Sequence, residues 1–469
     1  MPPILALALT ACFIVFSFAL ERKRNQEVTG ALWIPFLWIT LIGTRFASEW
    51  LNLGGGVPSG VSFEGSPVDQ AVFIGLYFAA LVVLVRRRVS VMEFIASNKW
   101  LAIFLVYCLL SILWSDYPWT ALKRWIKVTE HVAMVLVVLT EPNRTQAIDS
   151  LLRRFSYFAL ALSVCFIKYF PQFSRGFDQW TGAAVNMGAT TNKNALGHLC
   201  VISGLLLLSN FLDKGGPRKG TAIWYLDLVM AGFAVWLLMI ADAKTALVCF
   251  LVGAFLIVLV KKTRFGANPR RIVIFFVTSV ALIGVLELAF NLRDWSIQAL
   301  GRDATLTDRT LVWADVLAVE NNPIVGTGFE SFWLGAREEV MAAKYWWRPN
   351  QAHNGYIETY INLGALGLFF LIAALCAAFA NAARSIGPDP LYGPMRLALL
   401  IAILLFNYTD ATFKAVHILF FVFFLVAIEY PIQTSAVRNR VSSTASRAML
   451  PRAFSEKSPG AARRTGRAA

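Results

Sequence analysis

An all-α fold that crosses a membrane many times is what this sequence predicts, and three observations predict it. Of 469 residues, 57% are hydrophobic, whereas globular chains typically carry about 45–50% apolar residues. Apolar runs recur along nearly the whole chain, and a spanning helix needs roughly 20 such residues. Backbone groups in lipid must find partners within their own segment, which excludes an open sheet.

On the length criterion about thirteen spans are expected, near 2–20, 30–47, 68–85, 100–115, 128–141, 155–170, 195–212, 222–240, 245–260, 272–290, 355–380, 396–410 and 417–433. The second is interrupted by Pro35 and Arg45. The first follows no positive segment and its charges come after it, which fits a retained span better than a cleaved signal peptide. These segments divide the chain into 1–290 with ten spans, a long polar loop at 291–354, three further spans at 355–433, and a basic tail at 434–469. The tail is rich in Ser, Ala, Arg and Pro and is expected to be disordered. Shorter polar connections run from 49 to 70 and from 171 to 194.

Lys and Arg set the orientation. They cluster in alternate connections: Arg22-Lys23-Arg24, Arg86-Arg87-Arg88, Arg153-Arg154, Lys214 with Arg218-Lys219, Lys261-Lys262 through Arg270-Arg271, then Arg384, Arg396 and the tail. The positive-inside rule puts these in the cytoplasm and the 291–354 loop outside, in register with thirteen alternations from an external N-terminus. Much of the net charge of +15 is therefore an orientation signal, and no nucleic-acid partner is expected. All six cysteines fall inside expected spans, none placed to staple an external loop and none at metal-ligand spacing.

Five stretches combine residues able to do chemistry. His353-Asn354 lies where the long loop re-enters an apolar segment, nine residues before Gly364-Ala365-Leu366-Gly367. Histidine accepts a proton near neutral pH, although a residue here also serves to cap the entering helix, and the glycine pair permits close helix packing. In Thr307-Asp308-Arg309-Thr310-Leu311-Val312-Trp313, Arg309 and Trp313 share a face if the piece is helical; Asn322-Pro323 and Gly326-x-Gly328 then end it in a turn. Lys244 sits at the mouth of two closely joined spans, beside Asp242. Asn192-Lys193-Asn194 opens another span and reads equally as an N-cap cluster. Trp114-Ser115-Asp116-Tyr117-Pro118-Trp119, followed by Lys123-Arg124-Trp125, reads as a short amphipathic interfacial helix. The long loop also holds Arg293, Arg302, Arg337, Lys344 and Arg348 with five tryptophans. Ion pairs and an interfacial belt account for these, as does a site that grips an anionic diphosphate and stacks sugar rings. No Asp-x-Asp, Walker loop, Gly-x-Ser-x-Gly or His-Glu-x-x-His occurs.

Taken together, Trp114 to Pro118, Thr191 to Gly197, Arg309-x-x-x-Trp313 with Pro323 and Gly326-x-Gly328, and His353-Asn354 with Gly364-x-x-Gly367 resemble the superfamily of O-antigen ligases and Wzy-type polymerases, in particular exopolysaccharide polymerases of the ExoQ kind. The resemblance implies a multi-pass protein of the bacterial inner membrane. It implies transfer of an undecaprenyl-diphosphate-linked glycan to an acceptor hydroxyl at the periplasmic face, without cofactor or metal. It implies His353 as base and Arg309 and Lys244 on the diphosphate, the family having an arginine where Lys244 stands. Further candidate contacts are Arg302, Lys193, Asn192, Asn194, Arg124, Asn354 and Trp313. Membrane lipids, a flippase and chain-length or co-polymerase proteins are the implied partners. A ligase acting on lipid A core is the neighbouring alternative. A transporter for the same lipids is the alternative from another class, and would carry ionisable residues deep in its spans.

Overall fold

The computed structural model describes residues 1–52, 66–213, 220–263, 268–290 and 309–431. The expectations for Arg302, for the start of the long loop and for the tail fall outside the described residues.

Each expected apolar segment is helical. The helices are α1 (Pro3–Arg24), α2 (Trp33–Gly43), α3 (Ala47–Leu51), α4 (Pro67–Arg86), α5 (Val91–Ser97), α6 (Lys99–Leu110), α7 (Pro118–Leu139), α8 (Arg144–Tyr169), α9 (Pro171–Ser174), α10 (Lys193–Phe211), α11 (Ala222–Ile240), α12 (Lys244–Lys262), α13 (Pro269–Phe290), α14 (Arg309–Ala318), α15 (Ala336–Lys344), α16 (Gly355–Ser385), α17 (Tyr392–Thr409) and α18 (Ile418–Ala427). Among the described residues the strands are β1 (Arg175–Phe177) and β2 (Ala184–Asn186), an antiparallel hairpin. Proline opens α1, α4 and α7, where its missing N–H costs nothing.

Among the described residues, eight helices are long and apolar enough to cross a membrane: α1, α4, α8, α10, α11, α12, α16 and α17. A ninth span arises if α5 and α6, bent by 112° at Asn98, count as one. The other expected spans are α2, α7, α13 and α18, which this criterion of length and composition leaves uncounted. α7 carries Lys123, Arg124, Lys127 and Glu130 within its first thirteen residues. α2 and α18 are too short. At 1.5 Å per residue, α18 is about half the length needed to cross a hydrocarbon core of ~30 Å. It is buried along its whole length among α2, α7, α16 and α17, with Phe420, Phe421, Phe423 and Phe424 at its centre. Its near-continuous hydrophobicity reflects a protein core.

The helices share two chemically different ends. At one end Arg87 bonds Glu141, Arg144 and Arg396 meet Glu429, and Arg154 bonds Glu21 at 2.7 Å. Arg153 is buried between Asp149 and Asp227, and Tyr157 donates to Asp227 at 2.6 Å. Buried guanidinium groups persist only when paired in this way. At the other end lie the N-termini of α10, α12, α16 and α18 and the C-termini of α8, α11 and α17. Every described candidate residue belongs to this second end.

Candidate active site

The site is built on a break in a helix. Inside α16, Gly364 has φ 66° and ψ −169°, a conformation that L side chains rarely adopt. The break frees the carbonyls of Ile361, Asn362 and Leu363 and the amides that follow. Freed groups at membrane depth must be satisfied by protein, and here a loop supplies them. Thr327 N donates to Ile361 O at 3.3 Å and Gly328 N to Asn362 O at 2.8 Å. Tyr107 Oη donates to Leu363 O at 3.0 Å. In return Ala365 N donates to Pro323 O at 2.9 Å and Leu366 N to Ile324 O at 3.1 Å. The two backbones are so close that a Cβ on Gly326 (φ 68°) or Gly364 would overlap the opposite main chain. Pro323, Gly326, Gly328 and Gly364 therefore form one structure, although the sequence assigned them to separate roles.

Trp114 to Tyr117 hold the same loop from below. Trp114 Nε1 donates to Val325 O at 3.2 Å, Ser115 and Ser331 share a hydroxyl contact of 2.7 Å, and Asp116 pairs with Arg337 at 2.5 Å. Trp114 ends a 3-10 turn and Ser115 to Tyr117 are non-helical, so the amphipathic helix expected here begins only at Pro118, as the first turns of α7. The polar side chains of Ser115 and Asp116 face the loop, and that explains the mixed pattern of the stretch.

With the loop fixed, His353 stands just before α16. Asn354 caps that helix, accepting from Tyr356 N at 3.0 Å and Ile357 N at 3.1 Å, and donates to Tyr408 O at 3.2 Å. One turn on, buried Glu358 accepts from Ala352 N at 2.7 Å and from Trp333 Nε1 at 3.1 Å. These contacts clamp both neighbours of His353, whose own φ is 50°. Its Nδ1 lies 3.2 Å from Gln351 Nε2 and 3.7 Å from Asp410 Oδ1. Gly355 N donates to the Asp410 carbonyl at 3.1 Å, which ties the ends of α16 and α17 together. The other carboxylate oxygen of Asp410 is 3.5 Å from His198 Nε2. Burial lowers the pKa of His353, with Asp410 opposing and Arg309 adding to the depression. Burial resists ionisation of Asp410, but the histidines around it hold its carboxyl well below the usual range. The pair is a neutral imidazole beside a carboxylate.

Arg309 opens α14 and donates through Nη1 to Thr409 O. Lys244 opens α12 and pairs with Asp242 at 2.8 Å. Arg309, Lys244, Asn194, His198 and Asp410 line one open cleft of about 340 Å³, a figure that includes solvent at its mouth. Two cations from helices far apart in sequence thus face the same space, next to the His353–Asp410 pair. Charge-assisted contacts from a guanidinium and an ammonium suit a phosphate or diphosphate.

The other candidates have mainly local partners. Asn192 caps α10, accepting from Ala195 N at 2.9 Å. Lys193 pairs with Asp178 at 2.5 Å. Arg124 bonds the Glu330 carbonyl and lies 4.0 Å from its carboxylate. Trp313 Nε1 donates to Ala352 O at 2.7 Å, which braces the residue before His353. Asp410 and His198 were missed. Asp410 follows an apolar helix with no motif around it, and His198 lies inside one, so neither carries a sequence signal until α10, α16 and α17 are brought together.

The many apolar helices, one of them broken and docked by a loop beside the cleft, make this a multi-pass helical membrane protein. Residues 229–372 match the profile of a family described as O-antigen ligase. That match covers α12, Arg309, His353 and the break at Gly364, as the motif resemblance anticipates. The chain is also similar to the exopolysaccharide production protein ExoQ of Rhizobium meliloti (strain 1021), with 25% identity over 324 residues, 66% of this chain and 71% of that protein.

Proposed function

We propose that this chain polymerises undecaprenyl-diphosphate-linked oligosaccharide repeat units into an exopolysaccharide at the periplasmic face of the bacterial inner membrane. The observation that carries the proposal is the shared cleft, where Arg309 and Lys244 face one space beside a neutral histidine and its carboxylate. The similarity to an exopolysaccharide production protein supports the product class. The alternation of Lys and Arg supports the orientation, with the long loop outside and the basic tail in the cytoplasm.

In this mechanism the diphosphate of the donor binds Arg309 and Lys244. An acceptor sugar hydroxyl attacks the anomeric carbon, the bond to the diphosphate oxygen breaks, and the proton passes to Nε2 of His353. With the Gln351 amide turned so that its oxygen faces Nδ1, an Nδ1–H held between that oxygen and Asp410 leaves Nε2 with the lone pair that a base needs. General-base assistance contributes typically 10²–10⁴-fold. The two cations offset charge on the departing oxygen, so the lipid diphosphate needs no metal to leave. Membrane lipids surround the site, and a flippase and chain-length or co-polymerase proteins are its expected partners.

The family description favours a second reading, transfer of finished glycan to lipid A core. Deletion of the gene separates the two. Single unpolymerised repeat units are the expected residue of a lost polymerase; long lipid-linked chains that never reach lipid A would instead establish the ligase.

A further inference from the structure

A second group of side chains meets His353, and it shares no residue with the diphosphate cleft. The ring of Trp347 lies 5.8 Å from that of His353. Trp180, from the hairpin between α9 and α10, lies 5.6 Å from Trp347 and 5.3 Å from Trp346. Two loops remote in sequence therefore build one file of indoles that ends at the histidine. Each loop is braced. Asp178 accepts from Trp180 N at 3.0 Å and Thr181 N at 3.1 Å while pairing with Lys193. Asp315 holds both Lys344 and Tyr345 at 2.5 Å.

Trp347 packs on the edge of the loop's small apolar core, and the file extends outward from it. Trp346 is 67% exposed, though it stands in a polar segment. Trp347 Nε1 is buried with no hydrogen-bond partner among the described residues, and a buried donor normally has one. Indoles offer flat apolar faces with a single polar edge. A pyranose offers the complement, an apolar C–H face rimmed by hydroxyl groups. We infer that Trp180, Trp346 and Trp347 form the subsite for the acceptor glycan, stacking its sugar rings so that the attacking hydroxyl reaches His353. The inference rests on the polymerase reading and adds to it: donor in the cationic cleft, acceptor on the tryptophans.

The test uses full-length protein in proteoliposomes with lipid-linked repeat units as donor. The acceptor is the repeat-unit oligosaccharide released by mild acid from the host's lipid-linked pool. Trp346→Ala should raise the KM for acceptor about tenfold, ~1.4 kcal/mol, with a smaller change in the KM for donor; Trp346→Tyr should restore most of the loss. Unchanged acceptor KM, or a rise confined to donor KM, would overturn the subsite and leave the polymerase reading standing. Quenching of tryptophan fluorescence by the same oligosaccharide gives a readout without turnover. If wild-type protein transfers nothing, the polymerase reading fails. The subsite then stands if Trp346→Ala weakens quenching about tenfold, and falls if the two titrations coincide.

Discussion

At His353 a non-glycine residue occupies the left-handed backbone region, φ 50°, a conformation that costs about 1–3 kcal/mol and persists only where its surroundings over-determine it. The clamps on Ala352, Asn354 and Gly355 do so, and they aim the ring at Asp410. Because burial depresses the pKa of His353 while Asp410 opposes, the acid limb of kcat/KM, which reports the free enzyme, should fall below the ordinary value near 6.5. Asp410→Asn removes a negative charge that favours the imidazolium. The limb should therefore move to still lower pH, and the rate on the plateau should drop as the base weakens. A limb that moves up, or stays in place, would remove Asp410 from this role. Arg309 and Lys244 differ in a predictable way. Arg309→Lys should impair turnover severely, since an ammonium cannot reproduce a planar fork. Lys244→Arg should be tolerated, and Lys244→Ala should weaken donor affinity by about 1.5–3 kcal/mol, the range for a hydrogen bond to a charged group. Donor titrations of the three variants check this; wild-type affinity in Lys244→Ala would leave Lys244 as a partner for Asp242 alone.

At the scale of elements, the break in α16 is the feature on which the site depends. Its carbonyls and amides are satisfied by the 321–328 segment and Tyr107. Gly364→Ala would place a Cβ against Ile324 at a φ that alanine disfavours. The expected cost is about 1–3 kcal/mol for the backbone alone, with loss of activity, seen as a lower unfolding temperature in detergent and faster proteolysis of the loop. Gly387→Ala, where an added Cβ meets nothing, is the control and should leave both unchanged. The sequence made the pieces of this joint legible as Gly-x-Gly, Asn-Pro and Gly-x-x-Gly, because each carries a local turn or packing signal. It could not show that they meet, since the signal is an exchange of main-chain hydrogen bonds between segments that no periodicity connects. The same limit hid Asp410 and Trp180, whose partners come from distant helices and loops.

For the whole molecule, hydrophobic content and charge alternation made the all-α membrane class legible, and every apolar segment expected to be helical is so. Apolar length alone does not separate a long lipid-facing helix from a short buried one: α2 and α18 are short, and α18 is apolar along a length buried in protein. Orientation is open to direct measurement. In a cysteine-free background, Val340→Cys, in an exposed position, should react with a membrane-impermeant thiol reagent in intact spheroplasts, and Gly387→Cys at the other end should react only after lysis. The reverse pattern would place the candidate site in the cytoplasm and remove the periplasmic chemistry. The central claim, that a histidine at the mouth of this bundle is the base of a lipid-linked glycan transfer, is tested most directly by His353→Ala in membranes supplied with purified lipid-linked repeat units. Normal insertion and no polymer, with donor binding retained, are expected. Wild-type polymer from the His353→Ala protein would contradict it.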